Sequence, residues 1–223
     1  MARSVPVLVL AYFGGTLAAT LGAGAPFTAV AVLCLVSAVL LPALARRRAA
    51  AWITWLGATA LLATCVASGR ARLPGYLAPP LILGTVAGLF GHSLGRGHTP
   101  LIARFIYVID GPAALDDPAV ARYARGLTRL WTLLPLGMAL FAGLAALCVV
   151  PDGVLAAFGI DPPRALDAGS WSLLVNVGGY ALLASAFVGE LLLRPWLLPQ
   201  APRHGLVDFA RRVIAAWPAL RGS

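Results

Sequence analysis

Two groups of residues have the types and spacing to do chemistry. Glu190 is the only glutamate of the chain, and Arg194 follows it by four residues near the end of an apolar run. That order favours an i,i+4 pair on a helix. Asn176, Tyr180, Leu183, Phe187, Glu190 and Arg194 recur at helical spacing, so they form one stripe. Polar residues in a membrane segment ordinarily face other protein, so the stripe is expected to face inward. The second group lies in residues 90–129, which begin F-G-H-S-L-G-R-G-H-T-P-L-I-A-R-F and continue to Arg122, Arg125 and Arg129. The last three arginines are spaced to project from one helix face. Guanidinium groups offer paired donors to a carboxylate or phosphate. The same arginines would equally serve to stop a span against anionic lipid. On a helix starting at Trp171, Glu190 lies ~28 Å along the axis, which is the depth of His92. Glu190 is therefore either a local partner of Arg194 or an acid/base that orients His92, with Arg104 or Arg194 on an anionic group.

Other chemistries find little support. His92 and His98 stand six apart across flexible glycines, without the HExxH spacing or an evident third ligand, so no metal is expected. There is no GxSxG, P-loop, GxGxxG or CxxC array, and no cofactor is expected. Cys34, Cys65 and Cys148 fall in apolar runs and read as small buried hydrophobes.

The elements that must position these residues are membrane spans. The chain is 60% hydrophobic and 11% charged, with a mean hydropathy of +0.87, outside the range of soluble domains. Apolar runs of roughly 20 residues recur, each long enough to cross ~30 Å of hydrocarbon. The runs are continuous rather than alternating, which predicts helices and not a β-barrel. The expected fold is a single all-α, polytopic domain with spans at about 5–21, 27–45, 49–68, 75–92, 130–150 and 171–193. Residues 5–21 could also be a signal peptide, but the run is long for one and Pro26 would directly follow a cut after Ala25. Gly84 and Gly88 permit close helix contact, and Pro135 is placed to kink the fifth span.

Segment 93–129 interrupts the spans. Thr99 and Pro100 suit an N-cap and first helical position. Leu101, Ile102, Phe105, Ile106 and Ile109 then recur at helical spacing, predicting a short amphipathic helix on the inner leaflet that ends at Gly111 and Pro112. Asp116, Asp117 and Pro118 signal a further helix running into the fifth span. Residues 202–217 carry Leu206, Phe209, Val213 and Trp217 on one face and predict a C-terminal interfacial helix.

All seventeen basic residues are arginine, and the net charge is +9. Their places beside spans account for that charge as a topology signal, so nucleic acid is not an expected partner, whereas membrane lipid is. With the N-terminus inside, only Arg70, Arg72 and Arg164 lie outside, which predicts six spans with both ends cytoplasmic. Nothing in the sequence sets an oligomeric state.

The central stretch resembles the signature F-G-R-T-L-x-P-G-R-E-P-L-I-T-R of an uncharacterised bacterial inner-membrane family. A-R-Y-A-R-G-L-T-R-L-W is similar to its A-R-Y-T-R-x-V-T-x-x-W. The last span, W-S-L-L-V-N-V-G-G-Y-A-L-L-A-S-A-F-V-G-E, resembles its W-x-x-x-x-N-x-x-x-Y-x-x-V-x-x-F-V-G-E-Y. The likeness covers about residues 90–212, and the first ninety match only as apolar spans. It implies a bacterial inner-membrane protein encoded among carrier proteins, ketosynthases, dehydratases and acyltransferases that make aryl polyene or xanthomonadin-type pigments. Arg104, Arg122, Arg125, Asn176, Tyr180, Glu190 and Arg194 fit the pattern. His92 stands where it has arginine, and His98-Thr99 where it has Arg-Glu, which weighs against a His92-based mechanism. A ketosynthase activity lacks a cysteine in a nucleophile context. The resemblance implies context rather than chemistry; in that context the leading expectation is an accessory role, docking an acyl carrier protein or holding acyl product. A membrane enzyme acting on an acyl or aryl group, and a lipid or pigment transporter, stay open beside it.

Overall fold

A computed structural model describes residues 26–198, together with Val7, Ala11, Gly14 and Gly15. The expected span at 5–21 and helix at 202–217 thus lie largely or wholly outside the described residues. The described chain is helical: α1 (Pro26–Ala45), α2 (Ala49–Ala67), α3 (Leu73–His92), α4 (Leu101–Asp110), α5 (Pro118–Cys148), α6 (Val154–Ala157), α7 (Ala168–Ser172) and α8 (Gly179–Leu197). A 3-10 turn at Pro112–Leu115 joins α4 to α5, and a π turn at Leu173–Gly178 joins α7 to α8. Among the described residues five stretches are long and apolar enough to cross a membrane: Phe27–Ala45, Ala49–Ala67, Leu73–His92, Pro118–Cys148 and Ala168–Leu197.

Contacts divide the chain into two compact units. The first comprises Met1–Leu81 and Phe141–Leu173. Here Trp55 Nε1 on α2 donates to Ser37 Oγ on α1 at 2.9 Å, and Arg46–Arg48 form the reversal between them, Arg47 taking φ 51°. Arg72, before α3, pairs with Asp152, beyond α5, at 3.1 Å, so these two loops meet at one end. The edge of one ring faces the other where Tyr76 meets Trp171, with centroids 4.9 Å apart. The loop after α5 closes on itself: Val150 N–H donates to the Leu166 carbonyl and Leu166 N–H to the Cys148 carbonyl, both at 2.9 Å. Asp167 caps α7 by accepting from Ser170 N–H at 2.9 Å. The Ser170 hydroxyl and N–H hold its carboxyl below the usual range.

The second unit comprises Ile82–Leu140 and Leu174–Ser223, and its core is the docking of α4 on α5. Ala103 and Ile106 of α4 pack with Ala124 of α5, flanked by Ile102, Ala114, Leu115 and Val120. Small residues at 103 and 124 let the two backbones approach. The amphipathic helix expected over 101–109 is present, but part of its apolar face meets protein instead of lipid. Gly111, at φ 86°, ends it as expected. Asp117 starts α5 by accepting from Ala119 N–H at 2.8 Å. α5 then runs unbroken for 31 residues, about 46 Å, exceeding the hydrocarbon by some three turns.

The start of α4 departs from expectation. Thr99 is not its cap. Pro100 holds the cap position and has no side-chain donor or acceptor to offer. Two hydroxyls from outside the helix replace it: Leu101 N–H donates to Ser93 Oγ at 2.9 Å and Ile102 N–H to Thr128 Oγ1 at 3.3 Å. Each hydroxyl in turn donates to a nearby backbone carbonyl, Ser93 to that of Phe90 and Thr128 to that of Ala124, both at 2.7 Å. Nor do Gly84 and Gly88 make the close approach their spacing allows: an added Cβ at either would meet nothing within 4 Å. On α3 the closest approach falls at Gly75, where a Cβ would sit 2.5 Å from Thr28 Cγ2; in the second unit a Cβ at Gly91 would sit 3.1 Å from Thr132 Cγ2 and one at Gly179 3.3 Å from Met138 Cε.

Thr128 is fully buried, so Thr128→Val should strand the Ile102 N–H and lower stability by ~1–3 kcal/mol. Thr128→Ser should cost less. Thermal melting of the purified protein in detergent checks the ranking.

Candidate functional site

In the second unit the extension of α5 below its apolar run has three faces. At about 100° per residue, Ala124–Thr128, the arginine trio and Tyr123 point roughly 120° apart. The first face receives α4. The second carries Arg122, Arg125 and Arg129, all exposed and making no ion pair among the described residues. The third meets α8.

That third contact is a polar cluster of three side chains. The Tyr123 hydroxyl donates a hydrogen bond to Glu190 Oε1. Arg194 Nε lies 3.7 Å from the same oxygen. The Glu190 side chain is 13% exposed and that of Arg194 34%. Glu190 thus has a neutral donor from another helix and a looser cation from its own. A carboxylate so placed is held in one orientation, and the two donors around it form a preorganised anion seat. Glu190 and Arg194 are the pair expected from their spacing, whereas Tyr123 has no such spacing to mark it. It stands in the A-R-Y segment that carries the resemblance, and one residue after Arg122 it must leave the arginine face.

The other candidate residues lie apart from this cluster. His92 does not contact Glu190. Its ring lies beside that of His98, with centroids 4.9 Å apart. Arg104 is exposed on α4, away from the buried Ala103 and Ile106. Arg122, Arg125 and Arg129 share one face, and that face is not the one that reaches Glu190.

The expected inward stripe on the last span is also redistributed. Tyr180 is 61% exposed, and Phe187 is exposed too. The π turn at Leu173–Gly178 puts Asn176 out of phase with the regular helix that follows it. The covered strip of α8 is instead Gly179, Leu183, Ala186 and Glu190, with Asn176 half-buried inside the π turn.

Among the described residues no group of three or more His, Cys, Asp or Glu could hold a metal ion. No family model, curated protein or solved structure matches the chain.

Tyr123→Phe leaves the largely covered Glu190 carboxylate without its hydroxyl donor and should destabilise by ~1–3 kcal/mol. Arg194→Ala, at longer range and more exposed, should cost ~1 kcal/mol or less. Thermal melting of the two variants in the same detergent checks this order, and equal losses would contradict it.

Proposed function

We propose that this is an accessory component of a bacterial inner-membrane, polyketide- or fatty-acid-like pathway, and that it docks an acidic acyl carrier protein at the cytoplasmic face. One observation carries the reading. Arg122, Arg125 and Arg129 stand exposed on a rigid extension of α5, on a face used neither by α4 nor by Glu190. An unpartnered guanidinium row held by a packed helix complements an acidic surface, speeds encounter and makes it salt-sensitive. The excess of arginine on the side assigned to the cytoplasm supports the orientation. The resemblance of residues 90–212 to membrane proteins of aryl polyene-type clusters supports the choice of partner.

The Tyr123–Glu190–Arg194 cluster favours a second reading: a membrane enzyme that modifies an acyl or aryl group, with Glu190 as acid/base and Arg194 on an anionic group. A transporter would need a polar path past Asn176 and Tyr180, and the exposure of Tyr180 gives that path no wall.

Arg122→Glu with Arg125→Glu should abolish co-purification of the carrier protein from the producing strain, while insertion stays normal. Retained co-purification overturns the docking reading. Glu190→Gln should leave docking intact; loss of pigment with normal insertion would move the balance to the enzyme.

A further inference from the structure

We propose that the loop between α3 and α4 is a phosphate-binding site, in which His92, Arg96 and His98 take a phosphate ester at the membrane surface. The ester is either a phospholipid headgroup or a soluble phosphate monoester. None of the arginines on the α5 face takes part, so the site stands or falls independently of carrier-protein docking.

The loop is tightly built. His92 closes α3, and three short backbone bonds wind the chain after it: Leu94 N–H to the Gly91 carbonyl at 3.0 Å, Gly95 N–H to the His92 carbonyl at 3.2 Å, and His98 N–H to the Gly95 carbonyl at 3.1 Å. Gly97, at φ 82°, turns the chain back, a conformation that glycine adopts without strain. The result brings the imidazoles of His92 and His98 to 4.9 Å between centroids, tilted by 56°. The turn is close at Gly95, where a Cβ would sit 3.2 Å from the His92 carbonyl oxygen and 3.5 Å from His98 Nδ1. Arg96 lies between them in the loop, and all three basic side chains are exposed.

The surroundings favour an anion. No aspartate or glutamate precedes Asp110 in the chain. A metal cation would find two imidazoles, no carboxylate and a neighbouring guanidinium. An anion finds an arginine fork, two ring N–H groups, and the backbone N–H groups of Arg96 and Gly97, which donate to nothing among the described residues. Successive free N–H groups around a left-handed residue are a recurrent anion cradle. The N-terminus of α4 is not the donor, since Ser93 and Thr128 already occupy its Leu101 and Ile102 N–H groups. Three basic side chains on one short loop suit the three or four oxygens of a phosphate better than the two of a carboxylate.

The test uses the full chain in phosphatidylcholine nanodiscs. Glycerol 3-phosphate is titrated as the soluble probe, and short-chain phosphatidic acid as the lipid probe, with phosphatidylcholine of equal chain length as the neutral control. Wild type is compared with His92→Gln/His98→Gln, with Arg96→Gln, and with Arg122→Gln/Arg125→Gln. Binding of either phosphate probe, weakened about tenfold or more by the loop variants and less than twofold by the α5 variant, supports the site. Phosphatidic acid alone identifies a lipid source, and glycerol 3-phosphate alone a soluble one. Arg96→Gln changes a single exposed side chain, so it reports even if the histidine double variant misfolds. Failure of both probes, unchanged binding in Arg96→Gln, or tight Zn2+ binding without phosphate binding overturns the proposal.

Discussion

The Thr128 hydroxyl fixes the register between α4 and α5. It lies one turn beyond Ala124, donates back to that residue's carbonyl and accepts the Ile102 N–H at the start of α4. Helix N-termini leave backbone donors without partners, and a proline at the cap cannot supply an acceptor side chain. Without Thr128 and Ser93, α4 would begin with unsatisfied donors in a place water reaches poorly. With them, the helix is committed to α5 on one face, and the remaining faces of the α5 extension become defined by subtraction.

That commitment explains why polar residues close in sequence do different things. Arg122 and Tyr123 are neighbours, yet one projects to solvent and the other bonds Glu190. Rotation by about 100° per residue separates them, and the packing of α4 forbids the helix from rolling to exchange them. A row of charge is useful to a partner only if it is held still. A helix continuous with a membrane span and braced by a second helix holds it still at little entropic cost.

Much of this was legible in the sequence. Apolar runs of the right length located the five described candidate spans, and α1 and α2 match their expected limits within a residue or so. Asp117-Pro118 and Gly111-Pro112 marked helix ends because their chemistry is local. What was not legible is non-local. The cap of α4 comes from Ser93 and Thr128, eight and twenty-six residues away along the chain, and no local motif announces it. Spacing gave the stripe on the last span, but only packing decides which of its residues are covered: within α8 Leu183 and Glu190 are, whereas Tyr180 and Phe187 are exposed. Tyr123 falls in the A-R-Y segment that carries the resemblance, but no spacing names its partner, and only the packing of α8 supplies it.

Every face of the α5 extension takes its role from α4 being seated against α5 rather than floating in the interface. Cysteines placed at 103 and 124, in a background with Cys34, Cys65 and Cys148 replaced by alanine, measure this directly in native membranes. Seating of α4 on α5 predicts rapid disulfide formation between Ala103→Cys and Ala124→Cys under mild oxidation, and none between Tyr107→Cys and Ala124→Cys. Failure of the first pair to cross-link, or equal reaction of both, would contradict it.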